Sequence, residues 1–351
     1  MKDIILGSIM GTAVGDSLGL LYEGLSPQRQ KKLYGNIHSQ KFFMGKGLIS
    51  DDTEHTLMVA YALYRSSGDE VMFLKHLSNS LRKWIISLPL GVGFASLRAC
   101  IKLLFGFSPE KSGIFSAGNG PAMRSAVIGI VYGNDIDKMK RLVRVSTRIT
   151  HTDPKAEIGA LAIAYAAFIA STQKSVEPSN FYDELKKLLT DYESIEFLKL
   201  IEDVIESVYN KENSKEYAKR IGLEKGISGY MYHTVPVVIH AWLSFKDDFR
   251  RSIIEIIECG GDTDTTAAIL GSILGARVTM AGIPEDLQRN IHLFPYSLKY
   301  FEDISKMLGN KNKGDSEVQI KEPFWGLCIC RNFVFIPVIV FYVIRRMFPP
   351  Y

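Results

Sequence analysis

Cysteine is scarce in this chain, with four residues in 351, at positions 100, 259, 328 and 330. Two lone thiols and one close pair make neither a disulfide framework nor a zinc motif, so the expectation is a reduced, cytoplasmic protein. Charge of one sign is missing as well. The net charge is +4 with no single basic block, so the electrostatic footprint of a nucleic-acid binder is absent. No stretch of the main body alternates polar and apolar residues with a period of two, and there is no internal repeat. An apolar run follows Met1-Lys2, but Asp3 and Asp16 interrupt it and no cleavage site follows, so no secretory leader is expected. The rest of the composition, 46% hydrophobic and 23% charged, is that of a folded globular protein.

Helical spacing dominates instead. Residues 4–22 read as a helix rich in small residues, with Gly7, Gly11, Gly15 and Gly19 among them. Each such glycine weakens a helix by up to ~1 kcal/mol relative to alanine. Close backbone packing, or room for a ligand, is the expected compensation. Further helices are predicted at 54–66, 69–87, 97–105, 135–149, 156–170, 247–258 and 297–308, with charged amphipathic helices over 172–227. The basic face of 135–149 reads as solvated. The predicted fold class is all-α.

The chemistry concentrates in a few places. In Gly260-Gly261-Asp262-Thr263-Asp264-Thr265-Thr266, two carboxylates and three hydroxyls follow a Gly-Gly turn and enter a helix of small and apolar residues. One Asp or Thr would suffice as an N-cap. The full run also offers the oxygen ligands that Mg²⁺ or Mn²⁺ prefers. Ser50-Asp51-Asp52-Thr53 sits at another predicted helix entrance. If the two clusters meet, their oxygens suit a two-metal site. No histidine or cysteine joins them, which argues against zinc. Gly118-Asn119-Gly120 can present N–H groups to an anion or simply turn the chain. Glu23 follows an apolar pair and a tyrosine. His151 stands beside a predicted helix start, where it either satisfies a local carbonyl or faces a ligand. Ser228-Gly229-Tyr230 opens a further helix.

Taken together, these stretches resemble the ADP-ribosylglycohydrolase family over about residues 3–285. The resemblance rests on Gly15-Asp16-x-x-Gly19-x-x-Tyr22-Glu23, Ser50-Asp51-Asp52-Thr53, Gly118-Asn119-Gly120-x-Ala122-Met123-Arg124, Thr150-His151 and Gly260-Gly261-Asp262-Thr263-Asp264-Thr265. It implies a compact orthogonal bundle of helices with a dinuclear Mg²⁺ or Mn²⁺ centre. The implied metal ligands are Ser50, Asp51, Asp52, Asp262, Asp264 and Thr265. Glu23, Asp52 and Asp262 are the implied catalytic carboxylates. Gly118, Asn119 and Gly120 would lie along a diphosphate, His151 would stand near ADP-ribose, and Ser228, Gly229 and Tyr230 would line the ligand. The implied activity is metal-dependent hydrolysis of the bond between ADP-ribose and an acceptor, on an ADP-ribosylated protein or a small ADP-ribosyl substrate. A silent, crystallin-like ADP-ribose binder and a two-metal hydrolase of another bond are the competing readings.

The expected organisation is a helical domain over 1–308, a polar linker over 309–320 and an apolar tail over 321–351. In the tail, residues 333–344 are continuously apolar. Twelve such residues fall short of the roughly 20 that span a bilayer as a helix. Packing onto the domain is expected, with membrane-surface contact as the alternative, and the β-branched and aromatic content leaves helix or strand open.

Overall fold

The computed structural model describes residues 1–89, 91–245, 247–310 and 320–349. The chain opens with α1 (Lys2–Gly19), α2 (Pro27–Tyr34), α3 (Asp51–Ser66), α4 (Glu70–Ile86), α5 (Phe94–Leu104) and α6 (Pro109–Ser112). The middle holds α7 (Ala126–Tyr132), α8 (Ile136–Arg148), α9 (Pro154–Thr172), α10 (Pro178–Leu188), α11 (Ile195–Tyr209) and α12 (Ser214–Arg220). Then come α13 (Met231–Ser244), α14 (Phe249–Ile257), α15 (Thr263–Gly282), α16 (Glu285–Arg289), α17 (Leu298–Gly309) and α18 (Trp325–Arg345). The all-α expectation holds. The two strands found, β1 (Gly47–Leu48) and β2 (Ile291–His292), form a two-residue parallel pair.

The glycines of the first helix meet those of α15. A Cβ on Gly7, Gly11 or Gly15 would overlap the carbonyl oxygens of Gly275, Gly271 and Ala267 respectively, and one on Gly19 would overlap that of Thr263. The two helices therefore run antiparallel with their backbones in contact, and no side chain fits between them. Every residue of Ile5–Gly19, and of Thr263–Ala276 apart from Thr265, is buried, which is why neither helix shows an apolar stripe. Helix α9 is buried on all sides too, entered by the Asp153 cap and Pro154 at its first turn. This interior pair and α9 form the core on which the other helices pack.

The tail resolves as a helix. Residues Trp325–Arg345 form 21 residues of α-helix, because the pattern continues through Trp325–Cys330 ahead of the apolar run. By length and composition α18 is therefore long enough to cross a membrane, contrary to the twelve-residue estimate. Here it lies against the domain. Arg331 Nη2 stands 2.7 Å from Glu54 Oε1, Asn332 Nδ2 donates to the Ser87 carbonyl at 2.7 Å, and the Phe335 ring meets Phe43. Just past the helix, Arg346 donates to the carbonyls of Leu21 (2.9 Å) and Glu23 (2.8 Å). The expected linker lies mostly outside the described residues, and its first residue, Gly309, ends α17.

Candidate functional site

The site begins at the N-terminus of α3. Ser50 is its N-cap and its hydroxyl accepts from the Asp52 N–H at 3.3 Å. Asp51 and Asp52 fill the first turn, where the helix dipole favours negative charge. Asp16, near the end of α1, holds this helix start in place. It accepts from the N–H of Ser50 (2.9 Å), the N–H of Thr53 (3.2 Å) and the Thr53 hydroxyl (2.5 Å). Asp16 is a positioning residue beyond the candidate site residues named from the sequence. The signal was its place in the Gly15-Asp16-x-x-Gly19 motif.

The second cluster is set by the Gly260-Gly261 turn. Both glycines have positive φ (75° and 81°), and a Cβ on Gly261 would overlap the Ile227 carbonyl, so only glycine fits. The turn is pinned on two sides. Gly261 N–H donates to Leu25 O (2.9 Å), Gly24 N–H to Gly261 O (2.7 Å), and Asp262 N–H to Ile227 O (2.7 Å). These bonds bring the Glu23 loop and the Ser228-Gly229 segment beside Asp262. Asp262 stands at the N-cap position of α15, yet its side chain makes no capping bond there. Its Oδ2 accepts instead from Asn119 Nδ2 at 2.7 Å.

The two clusters, some two hundred residues apart in sequence, touch. Thr265 Oγ1 donates to Asp52 Oδ2 at 3.2 Å, and Ser50 Oγ donates to the same oxygen at 3.3 Å. Around this point Asp16, Asp51, Asp52 and Asp264 are all buried. Burial pushes the carboxyls of Asp51, Asp52 and Asp264 well above the usual range, and their negative neighbours push further: Asp16 and Glu23 at Asp51, Asp51 itself at Asp52, Glu23 and Asp262 at Asp264. The Asp16 carboxyl rises to about 6 through burial, held back by its bonds from Thr53 and Ser50. Glu23 is raised to about 7, mainly by burial and the charge of Asp262, with Arg346 pulling the other way.

Asp52 Oδ1 and Asp264 Oδ1 are buried with no hydrogen-bond partner. Concentrating anions out of water costs several kcal/mol per ion unless positive charge compensates. Oxygen-rich, crowded and orphaned, this donor set fits hard divalent cations. Among the described residues no three carboxylate, histidine or cysteine groups close on one point, so the hydroxyls of Ser50 and Thr265 would be needed to complete a ligand set.

A cleft of about 640 Å³ opens over the cluster, lined by Glu23, Asp51, Asp262, Asp264, Thr265 and, on its far wall, the Gly118–Gly120 loop with His151, Ser228 and Gly229. His151 sits against this loop. A Cβ on Gly118 or Gly120 would stand 3.0–3.1 Å from its ring, so side chains there would push the imidazole away. His151 Nδ1 lies 2.9 Å from Thr150 Oγ1, which accepts from Arg124 Nη2 at 2.6 Å. Arg124 is fully buried, with its other terminal nitrogen 2.9 Å from His55 Nδ1. Burial and Arg124 hold His151 down at about 3, so the ring is neutral.

The Gly-Asn-Gly loop differs from its expected form. It enters a short 3₁₀ turn (Ala122–Arg124) rather than an α-helix. The Gly118 N–H donates to Ser116 Oγ and the Asn119 N–H to the Gly229 carbonyl. Two of the loop's three amides are thus spent within the protein, and the Asn119 side chain holds Thr234 Oγ1 and Asp262. Tyr230 caps α13 and its hydroxyl accepts from Lys155 at 3.1 Å, so it braces the wall from behind.

The chain is similar over most of its length to known proteins. Residues 1–315 match the family model described as ADP-ribosylglycohydrolase. An uncharacterized protein of Archaeoglobus fulgidus is 30% identical over 283 residues, covering 79% of this chain and 88% of its own. ADP-ribosylhydrolase ARH3 of Gallus gallus is 25% identical over 349 residues (86% and 92% covered). The ADP-ribosyl dinitrogen reductase glycohydrolase of Rhodospirillum rubrum is 24% identical over 290 residues (81% and 88%). A solved structure, an ADP-ribosylglycohydrolase-related protein complex, shares the fold with a TM-score of 0.64 at 24% identity, over 88% of this chain and 97% of that one.

Proposed function

The chain belongs to the ADP-ribosylglycohydrolase family, and from that premise we propose that it hydrolyses the glycosidic bond between ADP-ribose and an acceptor in a cleft that takes two Mg²⁺ or Mn²⁺ ions. The observation that carries the reading is the contact between Thr265 and Asp52, which joins two oxygen clusters into one buried, uncompensated anionic centre. Ser50, Asp51, Asp52, Asp262, Asp264 and Thr265 would hold the cations. When bound, these supply concentrated positive charge against the ribose oxygens and the developing charge of the departing acceptor.

The chain's own groups do the rest. Cleavage breaks the bond from the ribose anomeric carbon to the acceptor, through an oxocarbenium-like state, and a water oxygen bonds to that carbon. One water proton must leave and one proton must reach the acceptor. Glu23 lines the cleft beside Asp262, so its carboxylate is placed to take part in both transfers. Asn119 holds the Asp262 carboxylate by its amide, and Asp16 holds the backbone at the start of α3, from which Asp51 and Asp52 project. Neutral His151 shapes the loop without adding charge. Gly120, Ser96 and Ser116 line the cleft, and the Gly120 amide and the two hydroxyls would meet a diphosphate there.

The test is release of ADP-ribose from arginine-, serine- and nucleotide-linked substrates with Mg²⁺, Mn²⁺ or a chelator. Metal-dependent release from one linkage is expected, with Asp262→Asn about 100- to 1,000-fold slower and still folded. Tight calorimetric binding of ADP-ribose without any release would convert the reading to a binding protein. Phosphate release in place of ADP-ribose would mark a different hydrolase.

A further inference from the structure

Helix α18 is amphipathic in the opposite sense to an ordinary surface helix. Its polar side chains, Arg331 and Asn332, point into the protein and are buried, together with Cys328 and Phe335. Its outer stripe is Phe333, Val334, Pro337, Phe341 and Ile344, continued past the helix end by Phe348 at the same three- and four-residue spacing. Phe333, Phe341 and Phe348 are 64%, 63% and 59% exposed. The contrast within the molecule is sharp. The other two helices of comparable length and apolarity are 94% and 78% buried over their apolar windows, whereas α18 is 22% buried. A contiguous apolar stripe facing water signals a missing apolar partner.

We propose that this outer face docks on an anionic lipid surface, with α18 lying in the plane of the interface while its inner face stays on the domain. Three features select lipid. Residues 323–349 contain no aspartate or glutamate, while Arg345 at the end of the helix and Lys41 beside Tyr342 are exposed cations, a charge pattern complementary to acidic headgroups. Exposed aromatic rings, Phe324, Trp325, Phe333, Phe341 and Phe348, run from one end of the helix to the other, as they do on the apolar face of a helix lying in the interface plane. The inner-face bonds, Arg331 to Glu54, Asn332 to Ser87 and Arg346 to the carbonyls of Leu21 and Glu23, tie the helix to the domain along its length. That tether favours lying on the surface over crossing it. The inference stands apart from the hydrolase reading, since none of the outer-stripe residues lines the cleft.

The experiment is flotation of the full-length protein with phosphatidylcholine vesicles containing roughly a third phosphatidylserine. Flotation with these vesicles is expected, weakened on pure phosphatidylcholine and largely reversed by about 0.5 M salt. A Phe333→Asp/Phe341→Asp double variant should partition roughly 100-fold less, with its circular dichroism and ADP-ribose release unchanged. Trp325 fluorescence should be quenched by brominated lipid in the wild type only. No flotation on either vesicle would overturn the proposal. So would a dimer in light scattering that the double variant dissociates, because a second copy would then cover the stripe. Resistance to carbonate with release only by detergent would overturn it too, by showing a helix that has left the domain and spans the bilayer.

Discussion

Replacing Arg331 by methionine isolates what holds the C-terminal helix to the domain. In the wild type, Glu54 is buried on α3 two residues after Asp52, with its side chain 2% exposed and that of Arg331 3%. Glu54 Oε2 accepts from Trp84 Nε1 at 2.8 Å, and Oε1 has Arg331 at 2.7 Å as its compensating charge. Methionine keeps most of the volume and removes the cation, leaving a buried carboxylate with one neutral donor. Removing one partner of a buried pair costs about 3–5 kcal/mol. The pairing here is imperfect. Oε1 receives no well-aligned hydrogen bond, Arg331 Nη1 has none, and Nε and Nη2 are directed at Asn332 Oδ1. The lower end, about 3 kcal/mol, is therefore expected. Arg331→Met/Glu54→Gln removes both charges and keeps an acceptor for Trp84, so it should lie within about 1 kcal/mol of wild type. Urea denaturation followed by circular dichroism measures all four corners of the cycle. Additive effects, or an Arg331→Met cost below about 1 kcal/mol, would refute the reasoning and show that Arg331 and Glu54 do not meet in solution.

Gly15→Ala should destabilise by about 3 kcal/mol or more, because its Cβ would collide with the Ala267 backbone of α15, where no side chain can move aside; a melting temperature within a degree or two of wild type would contradict the contact. His240 is buried against Ser207, Ser214 and Tyr217, and burial lowers it to about 4 from an ordinary 6.5. The unfolded chain therefore binds the extra proton first. His240 costs no stability above pH 6.5, and as pH falls to about 4 the protein loses about 3 kcal/mol through this group. His240→Gln should flatten that part of the stability–pH curve, and an unchanged difference between the two proteins would reject the assignment. Asn119→Ala frees Asp262 and should lower kcat/KM for ADP-ribose release about 10–100-fold, and weaken Mn²⁺ binding in calorimetry, without altering the melting temperature much.

The fold class and most helices were legible because the patterns that produce them are local. Helix α3 begins at Asp51, three residues before the predicted 54–66, because the Ser50 cap draws the acidic pair into its first turn, while α8 runs within a residue of the predicted 135–149. The glycines of α1 announced close packing, though not against what; only the structure pairs Gly11 with Gly271. The two acidic clusters could be seen separately, and their meeting depends on the tertiary path. Asp16 was hidden because its partners are backbone amides of a helix thirty-four residues away. The amides of Gly118 and Asn119 looked free in sequence and are consumed by Ser116 and Gly229. The tail was the hardest part to read. Its β-branched and aromatic residues suit strand or helix alike, and the contact that seats it, Arg331 with Glu54, links opposite ends of the chain.

The backbone contact between α1 and α15 also governs when this protein can come into being. Residues 2–19 are separated by most of the described chain from residues 263–282, the partner that receives their glycine face. Until that helix is made, the glycine face of α1 has nothing narrow enough to receive it, and the loop that must close is most of the chain. Pairings of such long range form late. Asp16 and the α3 cluster ride on the first partner, Asp262 and Asp264 on the second, so neither half of the centre is assembled ahead of the other. A chain that lacks α15 therefore lacks Asp262 and Asp264 and the surface that receives α1 together, so the centre and the spine are completed by the same element.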